Sequence, residues 1–166
     1  MGAGKTTVGA AVARLLGRPF VDTDDLVVAV TGRSVTETFG VEGEPAFRAY
    51  ERAAVADACA APDASVISCG GGAVLDPGSR RLISDAGFVV WLDAPGTVLA
   101  ARVGQAGQRP LLGRGDAVAT LERLRDVRSS AYEAVASTRV DTEGRSVVDV
   151  VDAVVEAYEH APGGPR

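Results

Sequence analysis

The chain has 166 residues, 46% of them hydrophobic and 23% charged, with 17 Lys and Arg against 22 Asp and Glu. That length fits a single domain able to bury a substantial core. The net charge of −5 argues against a broad nucleic-acid surface. No apolar run is long enough to span a bilayer and no basic-then-apolar leader is visible, so a cytoplasmic protein without membrane contact is expected.

The chain opens on Met1-Gly2-Ala3-Gly4-Lys5-Thr6-Thr7. Gly4-Lys5-Thr6 is the end of the pattern G-x-x-x-x-G-K-[ST], in which a glycine-rich loop wraps phosphates between a strand and a helix. Gly2 and Gly4 allow close backbone approach, and the amides of the next helix point at the anion. Lys5 can reach the β- and γ-phosphates, and the Thr6 hydroxyl can ligate Mg²⁺. Counting back along the pattern puts its first glycine ahead of Met1, together with the strand that feeds such a loop. The expectation is a missing central strand, with the natural start upstream and Met1 an internal methionine.

Val8, Ala11, Val12, Leu15 and Leu16 form one stripe of a 3.6-residue period, and Gly17 is a suitable stop. Short apolar runs at 19–21, 66–69, 88–92 and around 139–140 read as strands. Helical segments separate them, which predicts an α/β fold with a parallel sheet covered on both faces. Ser34-Val35-Thr36-Glu37 has capping-box spacing, and Ser146 opens the last helix in the same way. Val147, Val150, Val151, Val154, Val155 and Tyr158 give that last helix a one-sided apolar stripe.

Asp22-Thr23-Asp24-Asp25 follows the run at 19–21, at the carboxyl end where ligands of parallel sheets sit. A carboxylate there can hold Mg²⁺ through water, another can take a hydroxyl proton, and either can instead cap a helix. In Phe47-Arg48-x-x-Glu51 the arginine and glutamate are i, i+3. That spacing permits either an ordinary surface pair or a carboxylate that orients Arg48 toward an anion. Gly70-Gly71-Gly72 directly follows the run at 66–69, and three glycines there let backbone approach a ligand.

The segment 101–116 carries Gly104, Gly107, Pro110, Gly113 and Gly115 together with Arg102, Arg109 and Arg114. It reads as a mobile lid over phosphates, with a plain surface loop as the alternative. Arg128 stands in Val127-Arg128-Ser129-Ser130-Ala131-Tyr132. Lys5, Arg48, Arg109 and Arg128 exceed what a triphosphate needs, which suggests an acceptor that is itself a small carboxylate. Cys59 and Cys69 have no metal-ligand spacing and read as two buried thiols. The one histidine, His160, sits ahead of the tail, so acid–base chemistry falls to carboxylates.

These pieces resemble the shikimate kinase family. They are M-G-A-G-K-T-T, D-T-D at 22–24, F-R-x-x-E at 47–51, G-G-G-A-V at 70–74, R-P-L-L at 109–112, R-x-x-x-Y at 128–132 and R-V-D-T at 139–142, in the family's order and over essentially the whole chain. The resemblance implies a three-layer P-loop kinase fold with strand order 2-3-1-4-5, so the missing strand would be the central one. It implies one domain over 1–160, a lid at about 101–116 and a disordered tail at 161–166. It also implies ATP-dependent phosphorylation of the shikimate 3-hydroxyl on the way to chorismate, with Mg²⁺, by a monomer.

Carried over by position, Gly2, Ala3, Gly4, Lys5, Thr6 and Thr7 would bind ATP, with Arg102 and Arg145 near the base and Arg109 at the transferring phosphate. Thr6 and Asp22 would hold Mg²⁺. Asp24 would bind the acceptor hydroxyl and serve as base. Arg48 and Arg128 would grip the carboxylate, with Gly70, Gly71 and Gly72 against the ring. Lys5, Asp24 and Arg109 are the expected catalytic residues. Ser130 stands where the family usually has proline. A related small-molecule kinase such as a gluconate kinase, or a nucleotide-binding module inactive through the lost strand, are the alternatives.

Overall fold

The computed structural model describes residues 2–104 and 116–161. Arg109, Arg114, most of the expected lid and the tail from 162 onward lie outside the described residues.

Helix α1 (Lys5–Leu16) rises straight from the glycine loop. Gly4 is its N-cap at φ 85°, a left-handed conformation that a side chain would resist. Strand β1 (Phe20–Asp22) leads directly into α2 (Thr23–Thr31), whose N-cap is Asp22. Helix α3 (Val35–Ala60) begins with the expected Ser34–Glu37 capping box. It breaks at Gly43 (φ 83°, ψ 170°) just ahead of Pro45, where proline cannot continue the ladder.

Strand β2 (Val66–Ser68) is followed by the glycine triad, a 3-10 turn (Ala73–Leu75) and α4 (Pro77–Ala86). Then come β3 (Val90–Asp93), α5 (Gly96–Gly104), α6 (Ala117–Glu133), β4 (Thr138–Asp141) and α7 (Val147–Glu159). One expectation needs correcting here. Arg102 does not stand in a loop but in α5, because Leu99 and Val103 give that segment a buried helical face.

The strands form two parallel pairs. Phe20 lies opposite Val66 in β1–β2, and Val90 lies opposite Thr138 in β3–β4. Among the described residues β2 and β3 do not pair with each other. Between them runs a cavity of about 620 Å³, walled by Val8 and Val12 of α1, Val66 and Ile67 of β2, and Val90 and Leu92 of β3. The cavity separates the two strand pairs among the described residues.

The main core joins α1 to α7: Val8, Val12, Val140, Val150, Val151 and Val154 are all buried. A second cluster, Val27, Phe47 and Ala54, fixes α2 against α3. A third, Ala94, Leu99 and Leu121, takes up Ala3 of the glycine loop. Among the described residues no helix is long and apolar enough to cross a membrane.

Candidate active site

The phosphate end is built on the turn before α1. Gly2 is left-handed at φ 74°, and a Cβ there would lie 2.7 Å from the Leu99 carbonyl oxygen. The loop can therefore lie flat on α5 only as glycine. Arg102 tightens this junction. Its Nη1 donates to the Gly2 carbonyl at 3.4 Å and to Thr142 Oγ1 at 2.9 Å, and its Nη2 donates to the Thr142 carbonyl at 2.7 Å. Lys5 and Thr6 occupy the first turn of α1, with the helix amides facing the same way.

Asp22 does two jobs at once. Its Oδ1 accepts from the Asp24 N–H at 3.0 Å, capping α2, while its Oδ2 accepts from the Thr6 hydroxyl at 2.8 Å. The capping and functional readings of Asp22 are thus compatible. Two hard oxygen donors side by side below the phosphate loop suit Mg²⁺, which takes few protein ligands and keeps phosphates and water for the rest. Among the described residues no cluster of three or more His, Cys, Asp or Glu offers a denser metal site.

A second cluster of polar side chains is organised around the glycine triad, and each glycine lies close against a different neighbour. A Cβ on Gly70 would press on Glu51 Oε1 and come within 3.1 Å of Asp24 Oδ1. One on Gly71 would sit 3.3 Å from both Arg128 Nη1 and the Tyr132 hydroxyl. One on Gly72 would collide with the Arg48 guanidinium. Asp24, Arg48 and Arg128 therefore converge on one patch of bare backbone.

Arg48 is held from two sides. Its Nη1 donates to Glu51 Oε2 at 2.6 Å, and its Nε and Nη2 donate to Glu44 Oε1 at 3.2 and 3.0 Å. Glu51 is only 5% exposed at its side chain, so this is no ordinary surface pair. Burial opposes the charge on Arg48, but its hydrogen bonds to Glu51 and Glu44 outweigh that and hold its pKa above the usual value. At Glu51 burial wins: it pushes the carboxyl above its usual range although Arg48 and Arg128 pull it down.

Arg128 is 6% exposed, and its Nε is the one buried side-chain polar atom among the described residues with no hydrogen-bond partner. A buried guanidinium donor left open is costly, and the same guanidinium presents Nη1 toward Gly71, so a bound anion could be gripped there.

Sequence reasoning missed three supports. The Gly70 N–H donates to Thr23 Oγ1 at 3.0 Å, and Thr23 is fully buried. Tyr132 donates to the Gly71 carbonyl at 2.6 Å. Glu44 is the second partner of Arg48, and its i, i+4 spacing was a signal available in the sequence. Arg145 is turned onto backbone, its Nη2 donating to the Asp149 carbonyl at 2.8 Å. The two cysteines are half-buried rather than buried, because the cavity between β2 and β3 opens onto both.

The comparisons with known proteins agree with this geometry. The sequence model of the shikimate kinase family matches residues 1–159. The chain belongs to the shikimate kinase family. It is 46% identical over 161 residues to the shikimate kinase of Symbiobacterium thermophilum, covering 96% of this chain and 92% of that one. It is 42% identical to that of Halorhodospira halophila, covering 98% and 91%. Among solved structures, the shikimate kinase of Acinetobacter baumannii in complex with shikimate matches with a TM-score of 0.89 at 33% identity, over 94% of this chain and 87% of that one. The shikimate kinase of Aquifex aeolicus matches with a TM-score of 0.79 at 31% identity, over 96% and 92%. The α/β fold with parallel strands is therefore that of the shikimate kinases, with helices carrying most of the residues.

Proposed function

We propose that this member of the shikimate kinase family transfers the γ-phosphoryl group of ATP to the 3-hydroxyl of shikimate, giving ADP and shikimate 3-phosphate. The observation that carries the reading is buried Arg128, whose Nη1 faces Gly71 and whose Nε has no hydrogen-bond partner, with Arg48 fixed across the same patch by Glu51. Two oriented guanidinium groups make a receptor for a small carboxylate, and Asp24 stands where an acceptor hydroxyl would lie.

In this reading Gly2 to Thr7 cradle the triphosphate and Lys5 spans its β- and γ-phosphates. Thr6 and Asp22 would hold Mg²⁺, which when bound neutralises charge on those phosphates. Asp24 accepts the proton of the attacking hydroxyl, and Arg48 and Arg128 clamp the far end of the acceptor. Arg109, outside the described residues, is assigned to the transferring phosphate, and Arg102 and Arg145 to the base side. Catalysis is then mostly positioning and charge stabilisation along an in-line path. A single catalytic domain over 1–160, acting as a cytoplasmic monomer with a lid at 101–116, completes the reading.

The experiment is ADP release from Mg-ATP by the chain, with and without shikimate, with the phosphorylated product identified by mass. Release that ignores shikimate would reject the reading. The cavity beneath the phosphate loop favours one alternative, a module that binds nucleotide without turnover. Tight ADP binding with no shikimate-dependent release would select it.

A further inference from the structure

An ion-pair cluster outside the cleft remains unused by this chemistry. Asp93, at the carboxyl end of β3, has a side chain only 6% exposed. Its Oδ1 accepts from Arg125 Nε at 2.9 Å and its Oδ2 from Arg125 Nη2 at 2.8 Å, a two-bond fork. Arg139 of β4 adds a third bond, Nη2 to Oδ2 at 2.5 Å. The Arg139 guanidinium also lies over the Trp91 ring, 4.7 Å from its centroid. Trp91 in turn stacks on Tyr132 at 5.4 Å, and Tyr132 donates to the Gly71 carbonyl.

Arg125, Arg128 and Tyr132 lie at i, i+3 and i+7 on α6, so they share one face. The helix is tied down on both sides of Arg128: by the Asp93 fork one turn before it and by the Tyr132 contacts one turn after it. Burying a carboxylate contributes little net stability, since desolvation consumes most of the attraction. What a forked pair fixes is angle. Arg128 Nε has no partner, and the side chain is held by Tyr132 of the same helix, so its direction follows how α6 is rotated.

We propose that Asp93, with Arg125 and Arg139, is a positioning cluster that sets the rotation of α6 and so aims Arg128 at the acceptor's carboxylate. This rests on the assignment of Arg128 to that carboxylate. Nucleotide binding is spared, because the Asp93 backbone carbonyl, not its side chain, holds Thr142 and through it Arg102.

The test is calorimetric titration of shikimate and, separately, of ADP into Asp93→Asn, Arg125→Lys and Arg128→Ala. Asp93→Asn leaves two arginines that are 34% and 52% exposed and can be solvated, so the fold should hold. If Asp93→Asn does not fold, Arg125→Lys, which keeps the charge and loses the fork, carries the test alone. A misaimed anchor is expected to weaken shikimate binding at least about tenfold in both variants, with ADP binding unchanged within about twofold. Parent-like shikimate binding in Arg125→Lys and in any folded Asp93→Asn overturns the proposal. So does an equal loss for shikimate and ADP, which marks a general support of the fold. Parent-like shikimate binding in Arg128→Ala rejects the underlying assignment instead, so the two failures are told apart.

Discussion

Replacing Arg128 with Met separates a ligand-binding arginine from a structural one. The side chain is 6% exposed and its Nε is unpaired, so in the unliganded protein it carries an open donor. Such a donor costs about 1–3 kcal/mol, and an apolar chain of similar length removes that cost. Part of the gain is offset because Glu51, already pushed upward by burial, loses one of its two stabilising cations. The unliganded variant should therefore be as stable as the parent or up to about 1 kcal/mol more stable, a rise in melting temperature of about 2–4 °C for a chain of this size. Shikimate binding should move the other way. Losing two charge-assisted hydrogen bonds at about 1.5 kcal/mol each weakens it by about 3 kcal/mol, or about a hundredfold. The assay pairs thermal melts of the unliganded protein with titration of shikimate and ADP. A variant that melts well below the parent while binding shikimate normally would refute the reasoning, since Arg128 would then belong to the fold.

Gly72→Ala puts a methyl group onto the Arg48 guanidinium, so shikimate affinity should fall about tenfold or more while ADP affinity holds; unchanged shikimate titration argues against the triad's role. Two buried carboxyl groups should shape the pH dependence of stability in opposite senses. Burial pushes Asp93 up, but Arg125 and Arg139 outweigh it and leave the carboxyl low, so its stabilisation is present above the usual carboxylate range and is lost as pH falls through that lower value. Glu51 is raised, so its contribution declines as pH climbs from the usual glutamate value through the higher folded one, and Glu51→Gln should flatten that part of a stability–pH curve. Burial, with the nearby Cys59 adding, pushes the Cys69 thiol up to about 12, so a maleimide at pH 7 should label Cys69 more slowly in the native protein than in the unfolded one. Finally, fusing about five β-branched residues ahead of Met1 should fill the cavity between β2 and β3 and raise the melting temperature, since each such side chain is worth about 1.5–3 kcal/mol when buried; a proline in the middle of the insert should cancel the gain.

Local features were legible in the sequence because their causes are local. The α1 stripe, the Gly17 stop and the capping boxes at Ser34 and Ser146 all stand as spacing alone predicts. The strands shifted by a residue or two. The run read at 19–21 pairs at Phe20–Asp22, since Pro19 has no N–H to give the ladder and contributes only its carbonyl, to the Val66 N–H. The Arg48–Glu51 pair was visible as a spacing, but its burial was not, because that depends on α2 and the glycine triad closing over it. The long-range supports left no local mark. Thr23 meets Gly70 across 47 positions, and Asp93 meets Arg125 and Arg139 across 32 and 46. Nothing in a window of one helix or strand distinguishes those arginines from solvated ones.

The cavity between the strand pairs bears differently on stability and on site geometry. A cavity walled by valine, isoleucine and leucine forfeits dispersion contacts on every side, and among the described residues the facing edges of β2 and β3 have no ladder partner. The phosphate loop, however, is not positioned from below alone. Gly2 rests on the Leu99 carbonyl, Ala3 packs into the cluster of Ala94, Leu99 and Leu121, and Arg102 ties the Gly2 carbonyl to Thr142. Thr6 is bonded to Asp22, and Val8 and Val12 seat α1 against α7. The Arg102–Thr142 and Thr6–Asp22 bonds are made by residues that do not line the cavity, whereas Ala3, Val8, Val12, Ala94, Leu99 and Leu121 also form its wall. The acceptor end is likewise fixed by α2, α3 and α6 around the glycine triad. The two halves of the site are thus held by elements on either side of the cavity, and the bridges across it are α1 above β2 and the 3-10 turn against α6. Filling the cavity should therefore raise the melting temperature more than it changes ligand affinity, because the strand would stiffen a geometry that other contacts already define.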